Sequence, residues 1–477
     1  MIKNIKKQIV VVFAVSLAFS ACKSLDIAEK KENRNLPAQY EESSDTLNSA
    51  QIIWKTFLND PYLNELIDTA LINNQELNLM LQEISIARNE VRAKKGEYLP
   101  FLTFRGGASV DRVGKYTRNG AVESNLPIKS GVEFPDPLTD YTFGAYANWE
   151  VDIWRKLRNA KKSAAMRYLA TVEGKNFMVT NLVAEIATSY YELLALDNQV
   201  TIVKKNIDLR QTALRFVKQQ KDAAKVTELA VLKFEAEVYK NQSHLFILQQ
   251  QVIQTENNLN LLIGRFPRPI TRSSNGFLDR MPQGIATGIP AQLLAQRPDI
   301  RQAELQLEAA KLDVKVARAN FYPSLSLGAG LGYQAFNPKY IMQTPESMLY
   351  SLAGDIISPL VNRNGIKATY YSANAKQIQA VYNYERSILT GYTEVLNQLN
   401  NVRNLQLGYD LKAQQVRALT ESIAISVNLF NSARADYMEV LLTQRDALEA
   451  RIEQIEVKQQ QMNAVVKIYQ ALGGGWN

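Results

Sequence analysis

Apolar residues recur along this chain with two different periods. From Val179 to Val217 they step by three and four, through Leu182, Ile186, Tyr190, Leu193, Val200, Val203, Ile207 and Leu214. That is the seam of a long helix in a coiled coil. Trp154 to Ile263 contains no proline and a single glycine, Gly174, between proline-bearing loops at Pro135, Pro137, Pro267 and Pro269. A helix over about 156–220 would extend on the order of 100 Å. A second proline-free stretch, Leu360 to Asn477, repeats the helical period through Leu389, Leu396, Leu399, Val402 and Leu405, then Val440, Leu441, Leu448, Ile452 and Ile455. Elsewhere the period is two. Tyr141, Phe143, Ala145, Ala147, Trp149, Val151 and Ile153 alternate with polar or small residues, and Leu325, Leu327, Ala329, Leu331 and Tyr333 alternate with serines and glycines. Such alternation over about ten residues suits a transmembrane β-barrel strand and equally suits a hairpin with one covered face. Less regular strands are expected near 101–110 and 349–358, with long polar loops over 111–139 and 334–347.

The two halves resemble each other. An offset of 223 places Ala87, Val91, Pro100, Leu102 and Gly107 on Ala310, Val314, Pro323, Leu325 and Gly330. Farther on, an offset near 210 places Glu228 on Glu439 and Leu262-Ile263-Gly264 close to Ala471-Leu472-Gly473. Each half therefore reads helix, strand, strand, long helix, long helix. The expected organisation is a signal peptide over 1–21 and a lipidated tether over 22–60. A first half over 61–285 has strands near 101–110 and 140–153 and long helices over 155–263. A second half over 286–477 has a helix at 298–320, strands near 323–333 and 349–358, and long helices over 364–472. After residue 22 no stretch approaches the ~18 apolar residues of a transmembrane helix, so any membrane crossing must use strands. Four strands cannot close a barrel, and an open edge in lipid leaves backbone groups unpaired. The expected fold class is α+β: a long antiparallel α-helical barrel plus four strands per chain in a trimeric, twelve-stranded transmembrane β-barrel.

The N-terminus carries an address. Met1 to Lys7 is basic, Ile9 to Phe19 is apolar, and Ser20-Ala21 precede Cys22, as in a secretory signal peptide. Leu17-Ala18-Phe19-Ser20-Ala21-Cys22 resembles the bacterial lipoprotein box, which implies a covalent lipid on Cys22; a plain signal peptide with an incidental cysteine is the alternative. The polar residues 23–35 read as a spacer.

Composition removes other chemistries. With 46% hydrophobic and 21% charged residues the 477-residue chain should fold. Lys+Arg 55 against Asp+Glu 47 gives +8, part of it in the leader lysines, and the spread argues against nucleic-acid binding. One Cys and one His leave no disulfide and no Cys/His zinc site. There is no P-loop, no Gly-x-Ser-x-Gly elbow and no metal-ligand cluster, so neither an enzyme nor a resident metal or cofactor is expected. His244, between Ser243 and Leu245 in mid-helix, reads as a surface or packing residue.

Four segments resemble one known family. Gly288-Ile289-Pro290-Ala291-Gln292-Leu293-Leu294-Ala295-Gln296-Arg297-Pro298-Asp299-Ile300-Arg301-Gln302-Ala303-Glu304 is similar to a signature of the TolC-type outer-membrane efflux proteins, in their lipoprotein (NodT- or OprM-like) branch. So are Tyr469-Gln470-Ala471-Leu472-Gly473-Gly474-Gly475-Trp476, Trp149 to Arg158, and Phe321-Tyr322-Pro323-Ser324-Leu325. Arg297-Pro298-Asp299 also suits a helix start on local grounds, with proline in the first turn and a carboxylate at the positive end. The resemblance implies a homotrimeric channel anchored in outer-membrane lipid and extending into the periplasm. It would be the passive exit duct of a tripartite efflux pump, working with a periplasmic adaptor and an inner-membrane transporter. Two alternatives are the exit channel of a type I secretion system and, in another class, a periplasmic coiled-coil structural lipoprotein. Met438-Glu439-Val440-Leu441-Leu442 resembles the family segment that carries constriction carboxylates. This implies a periplasmic gate at Glu439 and Leu442, with Glu228 as repeat equivalent, Arg434 and Asp436 in the adjoining turn, and a latch between Arg434 and Glu228. Leu442 stands where many relatives have a second acid. Glu439 and Glu228 also read as ordinary solvated acids.

Overall fold

The computed structural model describes residues 28, 30–40, 47–280, 284, 286–432 and 434–476; the expected signal peptide and Cys22 lie outside them. The main elements are α1 (Pro61–Asn73), α2 (Gln75–Tyr98), β1 (Phe101–Asp111), β2 (Leu138–Val151), α3 (Lys156–Asp222), α4 (Glu228–Ile263), α5 (Pro298–Ala319), β3 (Ser324–Ala335), β4 (Met348–Ile357), α6 (Asn364–Asn431) and α7 (Tyr437–Ala471). The order α2-β1-β2-α3-α4 recurs as α5-β3-β4-α6-α7. Among the described residues no helix is long and apolar enough to cross a membrane. The chain divides into two compact units. One holds residues 94–163 and 309–382 with the described residues up to 32, and the other holds 33–93, 164–308 and 383–477.

The first unit is built on one four-stranded antiparallel sheet in the order β1-β2-β3-β4. Pairing sorts side chains by face because alternate residues point to opposite sides. Leu102-Ala147-Ala329-Leu352 form one cross-strand row and Phe104-Ala145-Leu331-Tyr350 the next on the same face. Trp149-Leu327-Gly354 and Val151-Leu325-Ile356 continue it, so these rows bear no charge. The opposite face carries Thr103-Tyr146-Gly330-Ser351, Arg105-Gly144-Gly332-Leu349 and Glu150-Ser326-Asp355. β1 and β4 are edge strands, and their apolar residues lie open, with Phe104 74% and Leu352 84% exposed.

Two details differ from the sequence reading. β2 stops at Val151, short of Ile153, because Asp152 leaves the strand to cap α3. Its Oδ1 accepts from the Leu157 N–H at 3.0 Å and its Oδ2 from the Arg158 N–H at 2.9 Å. The 112–137 connection holds structure of its own. Helix Arg118–Glu123 is capped by Thr117, whose Oγ1 accepts from the Gly120 N–H, and Pro127–Lys129 pairs with Val132–Glu133. The Lys129 ammonium sits 4.3 Å above the Tyr340 ring in the β3–β4 loop.

In the second unit α3 packs against both α4 and α7, and α7 against α6. Arg210 pairs with Glu237 at 2.9 Å, Gln199 donates to Glu456 at 3.3 Å, and Lys412 pairs with Glu453 at 2.7 Å. The core gathers Leu63 and Ile67 of α1, Ile186, Tyr190, Leu193 and Leu194 of α3, Leu259 and Ile263 of α4, and Ile455 of α7, all fully buried. Buried Asp60 caps α1, accepts from the Tyr190 hydroxyl and pairs with Arg280 at 2.6 Å. Arg272 binds Asp197 through two hydrogen bonds and Glu256 through a third, which fixes the segment after α4 onto α3 and α4.

The stretch expected to be a free spacer is docked where described. The Lys30 ammonium lies 3.4 Å from the Tyr382 ring centroid, Glu32 pairs with Lys311, and Asn374 donates to the Ala28 carbonyl. In the other unit Arg34 pairs with Glu304 and Tyr40 stacks on Tyr392 at 5.5 Å.

Candidate gate and helix-end clamp

The anticipated gate residues occupy the two hairpin turns. α3 ends with an N–H bond from Lys225 to the Gln220 carbonyl and Ala224 in the left-handed region at φ 56°, a Schellman stop on a residue that lacks glycine's freedom. The α6–α7 turn repeats the bond from Arg434 to the Leu429 carbonyl. Beneath the turns Val217, Ala230, Val231, Phe234 and Leu441 form a buried cluster, with Tyr437 and Met438 against it. Val440 and Leu441 face inward, whereas Glu439 and Leu442, three residues apart and hence neighbours on one helix face, are exposed. Asp436 holds the N-cap position of α7 through its backbone: its carbonyl accepts from the Glu439 N–H, and its side chain makes no cap bond. Arg434 is exposed.

Two expectations change. Glu228 ion-pairs with Lys221, across its own α3–α4 turn. The bond to Glu228 raises the Lys221 ammonium above its ordinary pKa. The internal repeat at this end has an offset of 209, since Thr227 and Asp436 hold the same cap position and the two turn bonds correspond. Glu228 therefore matches Tyr437, and Glu439 matches Ala230. The sequence alignment slid by two residues because it paired like with like, whereas hydrogen-bonded caps fix where a helix begins.

At the other ends of α4 and α7 lies a constellation that sequence reading gave only as a cap. Arg297 Nε and Nη2 bind the two oxygens of Asp299 at 3.0 and 2.7 Å. Its Nη1 binds Glu394 of α6 at 2.7 Å and the Ala471 carbonyl of α7 at 2.9 Å. Burial opposes the charge on this guanidinium, but Asp299 and Glu394 outweigh it and hold the pKa above its ordinary value. The first half has a neutral counterpart. Asn74 Nδ2 donates to the Leu262 carbonyl at 2.8 Å, and Asn74 and Leu262 precede Arg297 and Ala471 by 223 and 209 residues. Gly264 and Gly473, at φ 76° and 91°, end α4 and α7 with matching bonds, from Arg265 to the Asn260 carbonyl and from Gly474 to the Tyr469 carbonyl. Two signatures remote in sequence thus form one clamp around the start of α5, and a cavity of about 400 Å³ opens beside it, lined in part by Arg297, Glu394, Lys467 and Gln470. Among the described residues no group of three or more His, Cys, Asp or Glu could hold a metal ion.

Comparison with known proteins agrees with this geometry. The family model "Outer membrane efflux protein" matches residues 66–265 and 289–474, the two repeat halves. The "Pyoverdine export outer membrane protein OpmQ" of Pseudomonas putida is 29% identical over 423 residues, 89% of this chain and 88% of its own. The "Cation efflux system protein CusC" of Escherichia coli O6:H1 is 26% identical over 473 residues, 97% of this chain and 98% of its own. The open-state MtrE outer membrane channel of Neisseria gonorrhoeae shares the fold with a TM-score of 0.83 at 20% identity, over 95% of this chain and 99% of that one. With both halves matched and the repeat visible in caps, clamp and sheet, the chain belongs to the outer membrane efflux protein family.

Proposed function

We propose that three copies close their four-stranded sheets into one twelve-stranded barrel in the outer membrane, above a helical tunnel that passively conducts solutes from a periplasmic adaptor and an inner-membrane transporter to the exterior. The observation that carries this is the sheet: one face of uncharged apolar rows between two open edges. Against lipid the apolar face is favourable, but each unpaired edge group costs several kcal/mol, so edge β1 of one copy must pair with edge β4 of the next. No step of this activity makes or breaks a bond, and the chain is not an enzyme in this reading. Purified protein in planar bilayers should show discrete conductance, and native mass spectrometry should show a trimer. A conducting monomer would refute the closure.

The lipid anchor fits the same picture. Ala28 is held at Asn374, ten residues into α6 and on the order of 15 Å along it. The six residues from Ala28 back to Cys22 reach about 20 Å when extended, enough to bring an acyl chain on Cys22 level with the sheet-proximal end of α6. The names of relatives point to small-molecule or ion export, which favours an efflux duct over a protein-secretion exit; the exported solute is set by the transporter.

A further inference from the structure

Charge is distributed unevenly about the sheet. The four segments that join it to the helices, residues 94–100, 152–163, 311–323 and 358–367, hold twelve Lys and Arg against three acids. The two connections at its other end, 112–137 and 336–347, hold five against four. Part of the helix-side excess is neutralised within the chain, where Lys94 pairs with Glu97, Lys156 with Glu150, Arg158 with Asp152 and Lys311 with Glu32. Lys315, Arg318 and Lys367 are exposed and make no ion pair among the described residues. Half-buried Arg363 lies with them. Lys311, Lys315 and Arg318 step by four and three along α5, which keeps them on one face, and Lys311 is where Glu32 docks. The Arg363 carbonyl accepts from the Lys367 N–H at 2.9 Å at the start of α6, and Lys367 stands two turns before Asn374, where Ala28 docks. The two helices meet here: the Arg363 guanidinium is 5.1 Å from the Phe321 ring, which meets the Tyr370 ring edge-on at 5.7 Å. The N-terminal segment therefore runs along the same face that carries the four cations.

Apolar and aromatic groups separate these cations from the strands. Leu360 and Val361, between β4 and Arg363, are 81% and 87% exposed. Trp154, 44% exposed, stacks on Tyr322 at 4.6 Å and donates to the Pro323 carbonyl at 2.7 Å. Apolar strand, aromatic pair, then cation is the order of acyl chain, interface and phosphate across one leaflet. We propose that Lys315, Arg318, Arg363 and Lys367 hold the headgroup of an anionic phospholipid in the periplasmic leaflet, on the face along which the N-terminal segment leads back to Cys22. The proposal rests on the membrane-crossing sheet proposed above and adds a lipid site to it. A zwitterionic headgroup fits less well, because its ammonium needs a carboxylate and no acid occurs between Asp313 and Glu346 or between Asp355 and Glu385. A free phosphate would meet the cations but leave Leu360 and Val361 in water, whereas a phospholipid covers both.

Native mass spectrometry of the purified protein in detergent, titrated with phosphatidylglycerol or phosphatidylcholine, reads the site as retained lipid. Each Lys or Arg at a membrane surface is worth about fivefold in affinity for anionic lipid. Wild type should therefore retain phosphatidylglycerol over phosphatidylcholine by about tenfold or more, and Lys315→Gln combined with Lys367→Gln should lower that ratio at least about fivefold. Lys115→Gln combined with Arg118→Gln, which removes the same charge from the far loops, should leave the ratio unchanged. Excess inorganic phosphate should not displace the lipid. Equal retention of the two lipids, an equal loss in both double variants, or displacement by inorganic phosphate would each overturn the site. Conductance in planar bilayers, measured on the same preparations, separates the two readings. A conducting protein without lipid preference would overturn this inference alone, and a protein that does not cross the bilayer would overturn the membrane-crossing sheet and this inference with it.

Discussion

Arg297 donates through Nη1 to the main-chain carbonyl of Ala471 at 2.9 Å, tying the start of α5 to the end of α7. The guanidinium also binds Asp299 and Glu394, and its side chain is 5% exposed. Removing it strands two carboxylates and a carbonyl, so Arg297→Ala should cost about 3–5 kcal/mol. Arg297→Lys should restore little, because an ammonium cannot meet Asp299 bidentately and still reach Glu394 and Ala471. Glu394→Gln should cost about 1 kcal/mol or less, since that carboxylate is half in solvent. Thermal unfolding of the detergent-solubilised protein followed by circular dichroism ranks the three. Equal midpoints for Arg297→Ala and Glu394→Gln would show that the buried guanidinium does not carry the clamp.

A second test lies in the terminal glycines. A Cβ on Gly474 would fall within 2.8 Å of three Tyr469 ring atoms, and that ring stacks on Phe57 at 4.1 Å while its hydroxyl donates to the Ile52 carbonyl. Gly474→Ala should push the ring aside, cost about 1–3 kcal/mol and change the near-ultraviolet dichroism. Gly408→Ala, in mid-α6 with open space around it, should instead stabilise by about 0.5–1 kcal/mol. If both changes shifted the midpoint in the same direction, the steric account of Gly474 would fail.

The junction carboxylate gives a pH dependence. Burial alone would raise the Asp152 pKa, but the Arg158 and Leu157 N–H groups and the Arg158 guanidinium overcome it and hold the carboxyl below its ordinary value. A depressed carboxylate stabilises the fold above the unfolded-state pKa of about 3.9 and loses that contribution as pH falls through the folded value. The gap in unfolding midpoint between wild type and Asp152→Asn should therefore be constant near neutral pH and shrink below about pH 4. A gap that widened on acidification would contradict the assignment.

Periodicity made the long helices and the strand pairs legible, because each buries one face at its own spacing. It failed where a single side chain decides an end. Asp152 reads as one more alternating strand residue until its carboxylate is seen on two helix N–H groups. The Arg297 signature was visible as a helix start, yet its bond to Ala471 joins positions 174 residues apart and nothing local encodes it. The docking of residues 30–40 was hidden for a related reason: a charged, low-hydrophobicity segment looks like a spacer, and its ion pairs and cation–π contacts lie on α5 and α6. The link from buried Asp60 to buried Tyr190 and half-buried Arg280 left no signal beyond an Asp-Pro helix start. Equating Glu228 with Glu439 failed because identity was matched before caps.

Gate chemistry separates the two acids. Glu228 is compensated by Lys221, so Glu228→Gln should leave ion selectivity almost unchanged. Glu439 makes no ion pair among the described residues and lies on an exposed helix face with Leu442, while Val440 is buried and Leu441 anchors that helix in the turn cluster. If three copies present this face to one axis, three carboxylates attract cations and coordinate divalent ions at a constriction that Leu442 lines with apolar surface. Glu439→Gln should then lower cation preference and divalent-cation block in single-channel recordings. Leu442→Asp should strengthen both, because a second carboxylate one helical turn away doubles the charge of the ring. Unchanged selectivity and block in Glu439→Gln channels, together with a response to Leu442→Ala, would place the constriction at the apolar ring and leave Glu439 as a solvated acid.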